Sequence, residues 1–272
     1  MGIQAGYNVS MAPSPVSPYR FGIFLALFVI FGGYEVLYRR RQLRDDKIPR
    51  WIGNLSLFFV GFFMIWVVFP AGLAGLAFKL DIRNWGLLSF LSNQRAVRFI
   101  ATLLVLDLSI YWLHRLFHQM DFIWRFHRIH HADRDVDVST STRFHPVEIL
   151  FLVTGLVLVV SVLGASTSGT IVFEILLGSA LIFTHSNLAL PDVADTLLRF
   201  VFVTPDMHRI HHSVLEKEMH SNFGFIFSFW DRIFGTYIDE PKEMHESMPV
   251  GLAEERESPT ASFRWSLLAP FR

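Results

Sequence analysis

The segment His127-Arg128-Ile129-His130-His131 recurs residue for residue as His208-Arg209-Ile210-His211-His212, and His114 and His118 stand just before the first copy. Eight of the twelve histidines fall into these three groups, which is too concentrated for the scattered loop and core-edge roles that explain a single histidine. Spacings of i, i+3 and i+4 place the imidazoles on one face of a helix. Imidazole is a ligand for zinc, copper, iron and nickel, so the pattern points to a metal site. The chain contains no cysteine, which leaves nitrogen and oxygen as the only ligand atoms. Eight imidazoles exceed what one tetrahedral or octahedral ion takes. Two ions sharing them, with positions left open for chemistry, is the economical reading.

Further residues fall in with these groups. Asp107 and Tyr111 precede His114 by seven and three residues and share its helix face. An aspartate within an apolar run is costly and faces a polar interior, so Asp107 is a candidate acceptor for a ligand N–H. A helix–helix hydrogen bond is its other reading. His185 ends an apolar run and is a candidate ninth ligand, or else a cation complementing a helix C-terminus. His145 precedes Pro146 and could be a ligand, a support behind a ligand or a helix cap, with the support favoured. Glu148 and Asn187 are candidate supports as well. Thr204-Pro205-Asp206 reads as a helix start that presets His208, His211 and His212. His220 and His245 read as surface residues.

The elements that must carry these side chains are apolar helices. The chain is 52% hydrophobic with 28 Phe, too apolar for a soluble domain of 272 residues. Phe21–Tyr38, Ile52–Phe78 and Val97–Leu113 are long enough to span a bilayer, and Glu148–Gly164 and Thr170–Phe183 read as a shorter pair of crossings. Residues 1–18 read as a mobile tail rather than a signal peptide, because no basic n-region leads into a cleavable apolar core. Asp192–Thr204 reads as interfacial, Ser221–Tyr237 as a helix and turn closing over the site, and 241–272 as a C-terminal tail. The loop after the first span holds six basic residues (Arg39, Arg40, Arg41, Arg44, Lys47 and Arg50) against four in Lys79–Arg98, which puts the first loop in the cytoplasm. Two crossings separate the repeated pentapeptides, so both reach the same side. The expectation is an all-α, polytopic integral membrane protein with four to five transmembrane helices and a cytoplasmic, histidine-rich helical cap holding a dimetal site, with one catalytic domain over 19–240. A formal net charge of zero gives no reason to expect nucleic-acid binding.

The order HxxxH, HxxHH, apolar hairpin, HxxHH resembles the fatty acid hydroxylase/sterol desaturase superfamily over about residues 104–238. Asn222-Phe223-Gly224 and Trp230-Asp231-Arg232-Ile233-Phe234-Gly235-Thr236-Tyr237 are similar to the closing motif of that family. The resemblance implies a membrane-bound, O₂-dependent oxidoreductase with two non-haem irons, zinc being a possible substitute. It implies ligands at His114, His118, His127, His130, His131, His208, His211 and His212, with His185 added. The substrate would be a membrane lipid that is sterol-like, fatty-acyl or related. Since His145-Pro146 is followed by Val147-Glu148 rather than glycines, no fused cytochrome b5 domain is expected, and electrons would come from a separate ferredoxin or cytochrome b5 type donor with its reductase. The cations Arg39–Arg41, Arg125, Arg128 and Arg134 would suit an acidic donor. Desaturation or ether-lipid oxygenation would use the same site. A membrane metal transporter and a structural zinc site are the readings from other classes.

Overall fold

An apolar segment in a bilayer has no water to bond its N–H and C=O groups, so it must satisfy them within itself as a helix. The computed structural model, which describes residues 18–272, follows that rule. Residues 1–17 of the expected tail lie outside it, and Pro18 opens the first helix. The long helices are α1 (Pro18–Leu37), α2 (Lys47–Val68), α4 (Arg95–Gln119), α6 (Pro146–Leu163) and α7 (Thr167–His185), with α3 (Gly72–Asp81) between α2 and α4. Shorter helices are α5 (Asp121–His131), α8 (Asp192–Arg199), α9 (Pro205–His211), α10 (Glu216–Met219), α11 (Phe229–Ile233) and α12 (Phe263–Leu268). Among the described residues there is no β-strand, only isolated bridges such as Arg39 with Leu188. Among the described residues five stretches are long and apolar enough to cross a membrane: Tyr19–Leu37, Lys47–Asp81, Arg95–Gln119, Pro146–Leu163 and Thr167–His185. The all-α polytopic expectation holds.

The second stretch departs from the expected single helix. It breaks between α2 and α3, because Pro70 has no N–H to give and Gly72 adopts a φ of +61°, which side-chain-bearing residues rarely take. Leu73 and Ala77 of α3 then pack with Leu106, Ile110, Leu156, Val160 and Phe173 in the main apolar core. The glycines at the far turns allow close approach. Gly86 and Gly164 both have positive φ, and a Cβ on either would collide with the other's backbone.

At the histidine-bearing end α2 runs past its apolar part into a polar frame. Arg50 is 1% exposed and pairs with Asp133 (3.1 Å) and with Asp137, which also accepts from Trp51 Nε1 at 2.9 Å. Asp133 accepts in addition from Asn54 (3.2 Å) and Thr140 (2.8 Å). Burial pushes the Asp133 carboxyl up, but the guanidiniums of Arg50 and Arg143 outweigh it and hold the group below its ordinary value. Arg143 donates to the Ile129 carbonyl (2.8 Å), Asn54 (2.8 Å) and the Thr260 carbonyl (2.7 Å). This frame fixes the turn between α5 and α6. Changing Arg50 to Met removes the ion-pair partner of two buried carboxylates, which typically costs about 3–5 kcal/mol. Thermal unfolding in detergent should show a clearly lowered midpoint, and an unchanged midpoint would mean that Arg50 carries none of this.

Residues 241–272 fold back instead of trailing as a tail. Trp265 of α12 joins Leu57, Ile129, Ala132 and Leu252 in a second apolar cluster beneath α5. A Cβ at Gly53 would collide with the Ala261 carbonyl oxygen, so the glycine lets this segment lie against α2. α8 turns Val193 and Leu197 outward and buries the pair Asp195–Arg199.

Candidate metal centre

Each histidine arrives on an element whose local sequence sets its direction. α4 carries His114 and His118 one turn apart at its histidine-bearing end, and α5 begins two residues later with His127, His130 and His131. His185 closes α7. α9 starts as its sequence predicts, with the Thr204 side chain accepting from Met207 N and Pro205 in the first turn, and carries His208 and His211, with His212 directly after it. All nine are buried, none more than 6% exposed.

They fall into two groups. His114, His118, His127, His131 and His211 form one; His130, His185, His208 and His212 form the other, and within each group one ligand atom per residue lies within 4.8 Å of all the rest. Each pentapeptide divides itself between them. The first gives His127 and His131 to one group and His130 to the other. The second gives His211 to the first group and His208 and His212 to the second.

Hydrogen bonds on the outer nitrogens fix the tautomers. The Nδ1 atoms of His114, His130, His185 and His211 lie 2.9, 3.1, 2.7 and 2.7 Å from the carbonyl oxygens of Phe223, Arg143, Leu181 and Ser221. His127 Nδ1 lies 2.6 Å from Glu148 Oε1. A carbonyl can only accept, so the Nδ1 atoms of His114, His130, His185 and His211 carry the hydrogen and leave Nε2 with a bare lone pair, and an ionised Glu148 does the same for His127. Nε2 of His185 lies 3.1 Å from that of His208 and His127 Nε2 lies 3.1 Å from that of His118, and between His185 and His130, whose Nδ1 atoms both carry the hydrogen, the Nε2–Nε2 distance is again 3.1 Å. Two bare lone pairs at that distance repel unless a cation lies between them. Two nitrogens bonded at 2.0–2.1 Å to one ion at a right angle would be about 3 Å apart. The donor set therefore fits a pair of nitrogen-bound metal ions.

Electrostatics agree. The imidazoles of His127, His130, His131, His208, His211 and His212 are driven well below the ordinary histidine value, first by burial and then, for the most part, by neighbouring imidazoles. They stay neutral, the form that binds metal.

The stretch 99–236, just over half of the chain, matches the family model for fatty acid hydroxylase. This chain belongs to the fatty acid hydroxylase family. An ornithine lipid hydroxylase of Rhizobium tropici is 29% identical over 147 residues, covering 54% of this chain and 44% of that protein. An alkylglycerol monooxygenase of Xenopus tropicalis is 25% identical over 148 residues, 53% of this chain and 31% of the relative. Sphinganine C4-monooxygenase 1 of Arabidopsis thaliana is 32% identical over 161 residues, 58% and 60% of the two chains. The chain thus spans less than two thirds of each of these relatives. No solved structure gives a significant match.

In this fatty acid hydroxylase family member, the residues expected to support the histidines divide sharply. Glu148 does so, through His127. His145 instead caps α6: its Nδ1 accepts from Val147 N at 3.2 Å and its Nε2 faces the Leu267 carbonyl at 3.2 Å, so it bonds no ligand imidazole. The reason is geometric, since a residue directly before Pro146 is held extended and cannot follow the helix inward. Asp107 accepts from Trp230 Nε1 (2.8 Å) and Phe227 N (3.3 Å), and Tyr111 bonds the Thr236 hydroxyl (2.8 Å). Both hold the closing segment 221–237 onto α4 rather than an imidazole. Asn187 clasps the backbone of Arg41 through both side-chain atoms, at 3.1 and 2.8 Å. His245, expected on the surface, is buried near Asp206; His220 is exposed, with its ring 5.5 Å from that of His118. The expected basic face is largely neutralised from within: Arg40 pairs with Asp206 and Glu246, Arg128 with Glu255 and Arg134 with Asp45, and Arg41 is buried.

Some of the main supports were not singled out from the sequence. Four are backbone carbonyls, which carry no residue signature. Asp231 is another, accepting from Phe223 N (2.7 Å), Gly224 N (2.9 Å) and Thr236 Oγ1 (2.7 Å), and so presenting the Phe223 carbonyl to His114. Burial pushes its carboxyl up to about 6. The aspartates Asp133, Asp135 and Asp137, which hold Arg50 and the turn after α5, were likewise not singled out.

Glu148 gives a direct check. Glu148→Ala removes the acceptor of the His127 N–H, and loss of such a bond typically lowers metal affinity by ~10–100-fold. Glu148→Gln keeps an acceptor oxygen and should recover most of the affinity in a competitive chelator titration. Equal losses in the two variants would assign Glu148 to helix capping alone.

Proposed function

We propose that this protein is a multi-pass membrane monooxygenase that uses two histidine-held irons and O₂ to hydroxylate a C–H bond of a lipid, with electrons from a separate ferredoxin or cytochrome b5 type donor. The observation carrying this is that one of the two histidine groups adjoins an apolar cavity, through His114 and His127. The cavity is about 180 Å³, is lined by Ile110, Phe117, Phe144, Leu152, Leu181 and Phe225 among others, and has His114, His127, Glu148 and Ser141 as its polar lining. A zinc site with only structural duties needs no such cavity, and a transporter needs ionisable residues along its spans rather than gathered at one end. The nine histidines named above are the proposed ligands, and the arginine-rich loop supports placing them on the cytoplasmic side.

When bound, the iron pair supplies the oxidation of an unactivated C–H bond by O₂, which side-chain acid–base chemistry does not achieve. The chain does the rest. Phe117, Phe144 and Phe225 exclude water from the cavity and leave a hydrocarbon chain as its fitting occupant. Glu148 holds the proton on His127 Nδ1, and the carbonyls of Phe223, Arg143, Leu181 and Ser221 hold those of four more imidazoles, so the ligand lone pairs point inward before metal arrives. The segment 221–237, held by Asp107, Tyr111 and Asp231, presents the Phe223 and Ser221 carbonyls to His114 and His211. Ether-lipid oxygenation or desaturation would use the same residues.

Purified enzyme should contain iron in both groups, and membranes expressing it should accumulate a lipid carrying one added oxygen. Tightly held zinc with no O₂ consumption after iron reconstitution would overturn the reading. Zinc found after overexpression alone would not, because zinc outcompetes ferrous iron for nitrogen ligands.

A further inference from the structure

The cavity also touches two side chains on the outermost spans: Phe24 of α1 and Phe58 of α2. Their rings are parallel within 3° with centroids 5.5 Å apart. Both are half-buried, facing the cavity on one side and the lipid-facing surface on the other. Around them that surface is apolar and exposed: Phe21, Leu25 and Val29 on α1, Phe59 and Phe62 on α2. Behind Phe24 stands Gly178 of α7, where even a Cβ would lie 3.8 Å from the Phe24 ring.

The helix that carries Phe24 is pinned at both ends. Near its start Arg20 pairs with Glu174 of α7. Near its end Glu35 Oε2 accepts from Val138 N (3.0 Å) and Asn187 N (3.1 Å). Swinging α1 away would break an ion pair and two buried hydrogen bonds. Turning the Phe24 ring breaks only apolar contacts, and rotamer changes of that kind are fast. The 221–237 segment is bonded to α4 through Asp107 and Tyr111, and none of the nine histidines is more than 6% exposed.

We propose that the Phe24–Phe58 pair is the side opening through which a hydrocarbon chain of a bilayer lipid reaches the histidine centre, and that it sets the shape of what passes. This rests on the lipid-oxidising reading given above. An opening made by one side chain is one side chain wide. It fits a flexible acyl or alkyl chain and rejects a rigid fused-ring sterol, for which α1 itself would have to move. Phe24 and Phe58 are thus specificity-determining residues, and linear-chain lipids are the substrate class.

The absence of cysteine makes the test clean. In the double variant Phe24→Cys/Phe58→Cys the two thiols are unique and can be joined by a short bismaleimide. The full chain is placed in phosphatidylcholine vesicles carrying a diazirine midway along one palmitoyl chain, photolysed, and mapped by mass spectrometry. Unlinked protein should be labelled within the cavity, at Leu152 or Leu177. Linking should abolish that labelling while labelling at Leu25 and Val29 persists. Phe24→Ala should raise cavity labelling and Phe24→Trp should lower it, which covers a pair that does not link. A cholesterol diazirine should label the outer face alone. Cavity labelling that ignores both the link and the Phe24 variants, or that the cholesterol probe gives equally, overturns the proposal. The functional reading fails separately: cavity labelling that obeys the link, with no oxygenated lipid from iron-loaded enzyme, would sink that reading and leave the passage standing.

Discussion

Replacing His130 or His211 by alanine should abolish product formation and empty the proposed centre of iron, while the protein still inserts into the membrane. The two residues belong to different groups, so each variant tests one proposed ion. His130 Nδ1 is held by the Arg143 carbonyl and its Nε2 faces His185; His211 Nδ1 is held by the Ser221 carbonyl. Alanine removes a positioned lone pair outright, so the loss should exceed the ~10–100-fold that follows when only a supporting hydrogen bond is removed. Iron per chain, measured on detergent-purified protein, and oxygenated lipid in the host membrane are the two readouts. If iron survives both substitutions, the ligand assignment is wrong.

Metal-free protein should also lose stability steeply on mild acidification. Six histidines outside the spans are held neutral in the folded chain, their proton affinities pushed well below the ordinary value by burial first. In the unfolded chain they return to about 6.5. Below that pH the unfolded state binds more protons than the folded one, so stability falls as pH falls and is recovered above it. The slope approaches about 1.4 kcal/mol per pH unit for each histidine fully protonated only when unfolded. Thermal unfolding of chelator-treated protein at pH 8 and pH 5.5 checks this, with metal-loaded protein expected to shift less over the same range. An apo protein with equal midpoints at the two pH values would mean that the imidazoles are solvated and the centre is open.

Much of this site is readable from the sequence, and the gaps have physical causes. The histidine spacings specify both the helices and the face, and the even number of crossings between the pentapeptides puts them together. What spacing does not specify is the direction in which a shared face points once other segments pack on it. Asp107, Tyr111 and His114 do share a face, but 221–237 intervenes and takes the first two. His145 looked like a support because it is a histidine near histidines; the proline after it made it a cap. The break at Pro70 was hidden by an unbroken run of apolar residues, in which hydropathy overwhelms a single backbone signal. The arginines that seemed to advertise a docking face meet acids at Asp45, Asp206, Glu246 and Glu255, partners 89 to 206 residues distant that only the fold brings near. Residues 241–272 gave no periodic pattern because they contribute isolated anchors such as Trp265 rather than a full helix face.

The way each pentapeptide splits its histidines between the two groups has a consequence for assembly. α4 gives both its histidines to one group and α7 its single one to the other, but α5 and the α9 segment ending at His212 are each shared across both. An ion captured at either position therefore fixes two helices that supply most of the imidazoles of the other, and lowers the ordering cost of the next capture. Filling should be cooperative, with half-loaded molecules scarce at every intermediate iron concentration. The repeated pentapeptide then acts as a counting device, admitting metal in pairs.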